Sequence, residues 1–217
     1  MNSIEMNGVS KRYGTVSVLK NFSLFLESGK TLAVIGPSGC GKSTLLHLLG
    51  AMDVPDDGSI RINGTEIVGL TEEDRRIFRK NEIGFVFQQH FLLPHLTVLE
   101  NVLVPAWGRQ AEPGLQDRAR ELLRQLGIDH RTDHLPGEIS GGECQRAAVA
   151  RALLTEPRLI LADEPTGALD PESAATLKTL FLDAVRRTGA SLVTATHDFH
   201  FAESFDQKRS LCPTSSM

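Results

Sequence analysis

Residues Thr31 to Gly50 read TLAVIGPSGCGKSTLLHLLG, and no other stretch of the chain restricts its fold so tightly. Thr31–Ile35 is a β-branched, apolar run with the character of a buried strand. Gly36, Pro37, Ser38, Gly39, Cys40, Gly41, Lys42 and Ser43 then fill the pattern G-x-x-x-x-G-K-[ST]. Leu45, Leu46, Leu48 and Leu49 follow at helical spacing, so strand, glycine loop and helix come in the order a phosphate loop requires. Glycines let backbone N–H groups curl around anionic oxygens, and the helix N-terminus adds partial positive charge. Lys42 can reach the outer phosphates, and the Ser43 hydroxyl can hold Mg²⁺. A nucleoside-triphosphate site is the expectation.

The 217 residues are enough to bury a sizeable core, as one domain or as a domain with an insertion. A formal net charge of −4, with acids and bases interspersed, gives no global electrostatic reason to bind nucleic acid or an anionic membrane surface. Cys40, Cys144 and Cys212 lack metal-ligand spacing and read as free thiols of a reducing compartment. The first residues, MNSIEMNGVSKRYG, lack the apolar core of a signal peptide, and no apolar run approaches the roughly 18 residues that span a bilayer. Any membrane-spanning part is therefore expected from a partner.

Taken in order, Ile4–Val9, Val16–Leu19 and Phe22–Leu26 read as β-structure. Tyr13, between them, can stack on a base, although alone it reads as a half-buried turn residue. Pro55–Gly58 is a turn, and residues 60–67 form a hairpin centred on Asn63-Gly64. Thr71 begins a charged helix with Asp74 at capping-box distance. Ile83–Phe87 is an apolar strand that runs into Gln88, whose neutral amide suits a Mg²⁺ ion or a water. From His90 to Glu156 the periods are helical, over Leu99–Val104, Gln116–Leu126 and Glu143–Leu154. His130 and His134 lie four apart without a third ligand in view, which favours a polar helix end or loop over a metal site.

Ser140 and Glu143 form a capping box, while Gly141 and Gly142 bare the donors of the helix end as a second phosphate site. Leu159–Ala162 is a buried-strand run that ends in Asp163 and Glu164: the first carboxylate suits Mg²⁺, the second an attacking water. Asp170 can cap a helix with Pro171 at its first position. Ser191–Thr196 is the last clear strand, and His197 follows it, placed to sense a γ-phosphate.

Together these pieces resemble the ATP-binding subunit of an ABC transporter. Tyr13 matches that family's adenine-stacking aromatic and Gly36–Thr44 its phosphate loop. Gln88 matches the Q-loop, Ser140–Glu143 the signature motif, Leu159–Glu164 the Walker B strand with its catalytic glutamate, Ala168–Asp170 the D-loop and His197 the switch histidine. The stretches Ser43–Gly50, Gly84–Gln89, Leu92–Pro94, Leu99–Val102 and Leu126–Arg131 are similar to the bacterial lipoprotein-release ATPases, with macrolide-export and cell-division ATPases close by.

The resemblance implies an α/β fold: a P-loop NTPase core of mostly parallel sheet with helices, an N-terminal antiparallel β-subdomain and an inserted helical subdomain. Residues 1–89 and 157–217 would form the core, and residues 90–156 the helical part that carries the signature. It implies ATP and Mg²⁺, with Ser43, Gln88 and Asp163 toward the metal and Glu164, His197, Lys42 and Gln88 in hydrolysis. Tyr13, the loop from Gly36 through Thr44, Ser140–Glu143 and Asp170 would bind nucleotide. It also implies a head-to-tail homodimer, a transmembrane permease as partner and a place on the cytoplasmic face of the inner membrane.

The leading expectation is lipoprotein release or export; the alternative is a force-transmitting ATPase of a non-transporting complex of the cell-division kind. A soluble ABC protein of DNA repair or translation would carry two cassettes or a long coiled coil, and this sequence has neither. The signature reads ISGGE rather than LSGGQ, and Cys144 replaces a usual arginine or glutamine. The end, from Asp206 to Met217, lacks the family's closing hairpin, so the expectation is that the C-terminal strands are lost or the product is shortened. Phe91, Leu92, Leu93, Pro94 and Leu96 form an apolar stretch expected in part to receive a short permease helix.

Overall fold

The computed structural model describes residues 3–107, 113–167 and 169–211. Strands β1 (Ser3–Tyr13) and β2 (Val16–Glu27) form a long hairpin turned at Gly14, whose φ is 58°. The three expected runs become two strands, because the pairing slips between Met6 and Arg12. Gly8 (φ 61°) and Asn21 (φ 46°) lie in that stretch, so the interruptions in alternation are bulges rather than strand ends. Next come β3 (Thr31–Ile35), helix α1 (Lys42–Leu49), β4 (Asp57–Ile62) and β5 (Thr65–Glu66). The last two turn on Asn63 and Gly64, both at positive φ, as a two-residue hairpin demands. These strands give an antiparallel sheet in the order β2-β1-β4-β5.

Helix α2 (Glu72–Glu82) is capped by Thr71, whose Oγ1 accepts from the Asp74 N–H at 3.2 Å. The Asp74 carboxylate takes the Thr71 hydroxyl at 2.6 Å, which suits its shorter side chain. After β6 (Ile83–Val86) come α3 (Val98–Leu103), α4 (Leu115–Gln125) and α5 (Gly141–Leu153). Then follow β7 (Leu159–Asp163), α6 (Pro171–Thr188), β8 (Ser191–Thr196), α7 (Phe199–Ala202) and β9 (Gln207–Ser210). The second sheet, β6-β7-β8-β3-β9, is parallel throughout. The chain is thus a mixed α/β fold, as expected from the sequence.

The parallel sheet separates two apolar cores, and strand alternation decides which residue enters which. Leu32, Val34, Leu159, Leu161, Val193 and Ala195 face the core shared with α1 and the antiparallel sheet. Ala33, Ile160, Ala162 and Leu192 face the core shared with α3 to α6. A strand buried on both faces reads as a continuous apolar run, which is why β3, β7 and β8 were visible in the sequence.

β9 adds a strand beyond Ser191–Thr196, the last that the sequence marks clearly. Its residues, Gln207-Lys208-Arg209-Ser210, are polar and lie at the sheet's edge, so no period marks them. Asp206 fixes the strand: its Oδ2 accepts from the Thr31 N–H at 2.9 Å and from the Thr31 hydroxyl at 2.8 Å. Leu32 to Ile35 then pair with residues 207–210.

Asn101 on α3 is fully buried and shapes the segment that follows Gln88. Its side-chain amide N–H₂ donates to the carbonyls of Leu93, Leu96 and Thr97 at 2.9–3.0 Å, and its Oδ1 accepts from the Leu93 N–H at 2.6 Å. Asn101→Ala strands those backbone groups and should lower the unfolding free energy by about 2–3 kcal/mol, the usual cost of orphaned buried polar groups. Denaturant unfolding measures it; a loss below about 0.5 kcal/mol, typical of a surface change, would mean that the amide does not hold this loop.

Candidate nucleotide site

Every parallel strand except the edge strand β9 delivers a site residue at its C-terminal end, where ligands bind in open α/β sheets. β3 runs into the glycine loop, β6 into Gln88, β7 into Asp163 and Glu164, and β8 into His197. Together with Tyr13 at the end of β1 they line one cleft of about 720 Å³. Ser38, Gly39, Gly41, Lys42, Ser43 and Thr44 form its floor, and Gln88 and Gln145 belong to its wall. Gln145 was missed in the sequence. It is 2 % exposed, and its amide N–H donates to the Phe87 carbonyl at 3.3 Å.

The glycines of the loop are needed for space and for sign of φ. Gly41 has φ 101°, and a Cβ there would meet Val18 Cγ1 at 2.7 Å. At Gly36 a Cβ would run into the Leu211 carbonyl and the Cys40 sulfur. Cys40 is thus a buried packing residue behind the loop, and Cys144 is buried too; Cys212 and Ala168 lie outside the described residues.

Lys42 Nζ donates to the carbonyls of Gly36 at 2.8 Å and Pro37 at 3.2 Å, and stands 3.5 Å from Glu164 Oε1. Glu164 Oε2 accepts from the His197 backbone N–H at 3.2 Å and pairs with its ring Nδ1 at 2.8 Å. Burial raises the Asp163 carboxyl above its ordinary value; the Ser43 hydroxyl opposes this and the Glu164 charge adds to it. Ser43, Asp163 and Gln88 supply only hard oxygen donors, the set that suits Mg²⁺. Among the described residues no group of three His, Cys, Asp or Glu side chains could hold a metal by itself. A cation here would need oxygens from a bound phosphate as well, which is how Mg²⁺ is ordinarily held in nucleotide sites.

Ser140, Gly141, Gly142, Glu143 and Asp170 do not line this cleft. Ser140 caps α5 and completes the box with Glu143, whose Oε2 accepts from the Ser140 N–H and hydroxyl at 2.8 Å each. Glu143 Oε1 takes the Arg131 Nε–H at 2.9 Å. The bonds from Ser140 and then Arg131 hold this carboxyl down at about 2, against burial. The acid therefore shapes the helix end, and Ser140 and Gly141 lie exposed beside it. His130 and His134 join the same cluster: His130 Nε2 is 3.6 Å from Glu143, and Arg131 lies 3.4 Å from His134 Nε2. Asp170 caps α6, accepting from the Ser173 N–H at 2.9 Å with Pro171 at the first position.

The sequence profile of the ABC transporter family matches residues 19–167, well over half of the chain. The chain belongs to the ABC transporter family. Among similar cassettes, the lipoprotein-releasing system ATP-binding protein LolD of Cytophaga hutchinsonii is 43% identical over 206 residues, covering 94% of both chains. LolD 1 of Rhodopirellula baltica is 46% identical over 206 residues, covering 92% of this chain and 90% of its own. The dimeric structure of MJ0796, a bacterial ABC transporter cassette, superposes with a TM-score of 0.91 at 37% identity, covering 96% of this chain and 94% of that one. A dimeric post-hydrolysis state of MJ0796 bound to ADP and Pi gives 0.90 at 35% identity, with the same coverage. The cassette fold and its ATPase character are thereby established for this chain.

Among the described residues that line the cleft, Lys42 is the only lysine or arginine, so Lys42→Ala leaves no ammonium in its place. ATP affinity should fall by about 10²-fold or more, as expected from losing charge-assisted bonds to two phosphates. Calorimetric titration with Mg-ATP measures this; near-normal affinity would detach the cleft from phosphate binding.

Proposed function

We propose that this chain is the ATP-hydrolysing subunit of a membrane complex that releases lipoproteins from the inner membrane. The cargo assignment is supported by relatives named lipoprotein-releasing system ATP-binding protein over nearly the whole chain. The observation that carries hydrolysis is Glu164, a carboxylate at 11 % side-chain exposure set between Lys42 and His197 inside the cleft. Lys42 and the loop N–H groups bind the triphosphate, Tyr13 stacks on the base, and Glu164 orients and polarises the attacking water. His197, bonded to Glu164 through Nδ1, offers Nε2 to a γ-phosphate oxygen. Ser43, Asp163 and Gln88 would hold Mg²⁺, which neutralises charge on the outer phosphates when bound.

Residues 90–156 are the helical subdomain that carries the signature, inserted in a nucleotide-binding core of residues 1–89 and 157–217, and two cassettes close head to tail. Ser140, Gly141 and Gly142 of each then face the nucleotide of the other, with Glu143 shaping that helix end and Asp170 at the junction. Among the described residues no helix is long and apolar enough to cross a membrane. A transmembrane permease places the subunit on the cytoplasmic face of the inner membrane, a reading supported by the lipoprotein-releasing relatives. The dock is the stretch after Gln88. Phe91 and Leu93 are exposed at 58 % and 44 %, whereas Leu92 packs on the helical core. A groove of about 300 Å³ is lined by Met52, Phe85, Pro105 and Arg151, and Arg151 holds the Phe91 carbonyl at 2.7 Å.

Glu164→Gln should leave ATP binding intact and cut hydrolysis by about 10²–10⁴-fold, the usual worth of a general base. It also removes repulsion across the closed interface, so Mg-ATP should accumulate a dimer in size-exclusion chromatography. Ser140→Arg in the same background should dissolve that dimer. A monomer at high protein concentration, or a dimer indifferent to Ser140→Arg, would overturn the head-to-tail arrangement.

Leu93→Asp should abolish co-purification with the permease and spare the ATPase of the isolated subunit. Retained co-purification would place the dock elsewhere.

A further inference from the structure

Tyr13 ends β1 beside a turn and is 47 % exposed, a setting in which an aromatic ring ordinarily samples several rotamers. Here the ring is tethered from across the fold. Its hydroxyl donates to Asp53 Oδ2 at 2.6 Å. Asp53 in turn has no slack. Its Oδ1 accepts the Lys11 ammonium at 2.6 Å and the Val54 N–H at 2.7 Å, and its own N–H donates to the His47 carbonyl. Lys11, 8 % exposed, also donates to the Val54 carbonyl at 2.7 Å and lies 5.1 Å from the Tyr13 ring centroid. Burial pulls the Asp53 carboxyl upward, but the bonds from Lys11, Tyr13 and Val54 outweigh it and hold the group ionised. The carboxylate therefore stays a strong acceptor for the phenol at neutral pH.

The geometry of these contacts has one notable property. His47, whose carbonyl accepts the Asp53 N–H, belongs to α1, the helix that starts at the phosphate-binding lysine, and Asp53 follows that helix closely. The ring is thus registered to the phosphate loop through α1 as well as through its own strand. A base and a triphosphate are joined by a ribose of fixed reach, so this registration decides whether both ends can be bound together.

We propose that Asp53, supported by Lys11, is a positioning residue that fixes the Tyr13 ring at the nucleotide's base and so sets the preference for base-bearing over base-free triphosphates. The proposal rests on the reading of Tyr13 as the base-stacking residue, and the variants below separate the two. No bond to the nucleotide is assigned to Asp53. Its contribution comes from a ring held ready, which spares the ordering cost on binding.

Affinities of Mg-ATP and of Mg-tripolyphosphate are measured by calorimetry on the full chain and on Tyr13→Ala, Tyr13→Phe and Asp53→Ala. Tyr13→Ala should weaken ATP by about 10- to 100-fold, the worth of base–aromatic stacking, and leave tripolyphosphate unchanged. Tyr13→Phe keeps the ring and cuts only the tether; it should weaken ATP about five-fold, the worth of one half-exposed charged hydrogen bond, again without touching tripolyphosphate. Asp53→Ala should match Tyr13→Phe, and the double variant Tyr13→Phe/Asp53→Ala should be no weaker than either. Full ATP affinity in Tyr13→Ala would overturn the stacking reading and the proposal with it. Loss in Tyr13→Ala alone, with Tyr13→Phe unaffected, would leave stacking in place and overturn the positioning role. Equal losses for ATP and tripolyphosphate in Asp53→Ala would likewise overturn it, since the carboxylate would then serve the phosphate loop. Should Asp53→Ala fail to fold with Lys11 left unpaired, Tyr13→Phe decides alone.

Discussion

The register of the parallel sheet sets the spacing of the chemical groups in the cleft. Asp163 pairs with Ala195, and Ala195 with Val34, while Thr196 pairs with Ile35. The next residue along each strand is therefore Glu164, His197 or Gly36, and all three leave the sheet at one edge. Parallel strands need buried faces on both sides, which the two cores supply. A slip of one residue in β8 would turn Thr194 and Thr196 toward the wrong core and carry His197 away from Glu164. Core packing and active-site geometry are thus one constraint, expressed at different points of the same strands.

Helix α5 extends that constraint to the parts that lie off the sheet. Its N-terminus carries Ser140 and the glycines. Along its length Gln145 holds the Phe87 carbonyl, and Arg151 donates to the carbonyls of His90 and Phe91, each at 2.7 Å. Arg146 donates to Ser173 Oγ at 2.9 Å, and Ser173 donates to Asp170 Oδ2 at 2.6 Å. The helix with the glycine-lined start therefore grips the segment around Gln88 on one side and the cap of α6 on the other. Loops usually carry functional residues on a rigid scaffold; in this molecule a single helix supplies the grip for both.

What the sequence disclosed and what it withheld follow from range. The phosphate loop, Asn63-Gly64 and the Ser140–Glu143 box are local, with each residue explained by neighbours three to five positions away. β3, β7 and β8 announced themselves by continuous apolar character. Asp53, Gln145 and Arg151 passed unnoticed because their partners are distant in the chain: Asp53 meets Tyr13 across 40 positions and Arg151 meets His90 across 61. No periodicity encodes such a pair. β9 was hidden for a different reason, since an edge strand with exposed side chains shows no alternation, and its anchor at Asp206 bonds to Thr31 across 175 positions.

Asp163 and Glu164 show how far strand logic carries and where it stops. Alternation along a strand gives neighbours opposite orientations. In fact β7 ends at Asp163, and Glu164 has φ 45°, a left-handed conformation that a glutamate adopts at a cost of about 1–3 kcal/mol. The surroundings hold it there. The Glu164 N–H donates to the Ala195 carbonyl at 2.9 Å, its own carbonyl accepts from the Gly167 N–H at 3.2 Å, and its carboxylate is bonded by His197. Strain of this kind persists only where the rest of the fold determines it, and it tends to mark functional positions. Relaxing Glu164 into extended backbone would continue the strand and direct its side chain by alternation alone. The left-handed turn instead brings the carboxylate beside Lys42 and His197, so that Asp163 stays with Ser43 while Glu164 takes a different place in the same cleft. The different placements of two adjacent acids thus depend on one backbone dihedral, which the side-chain pattern does not encode.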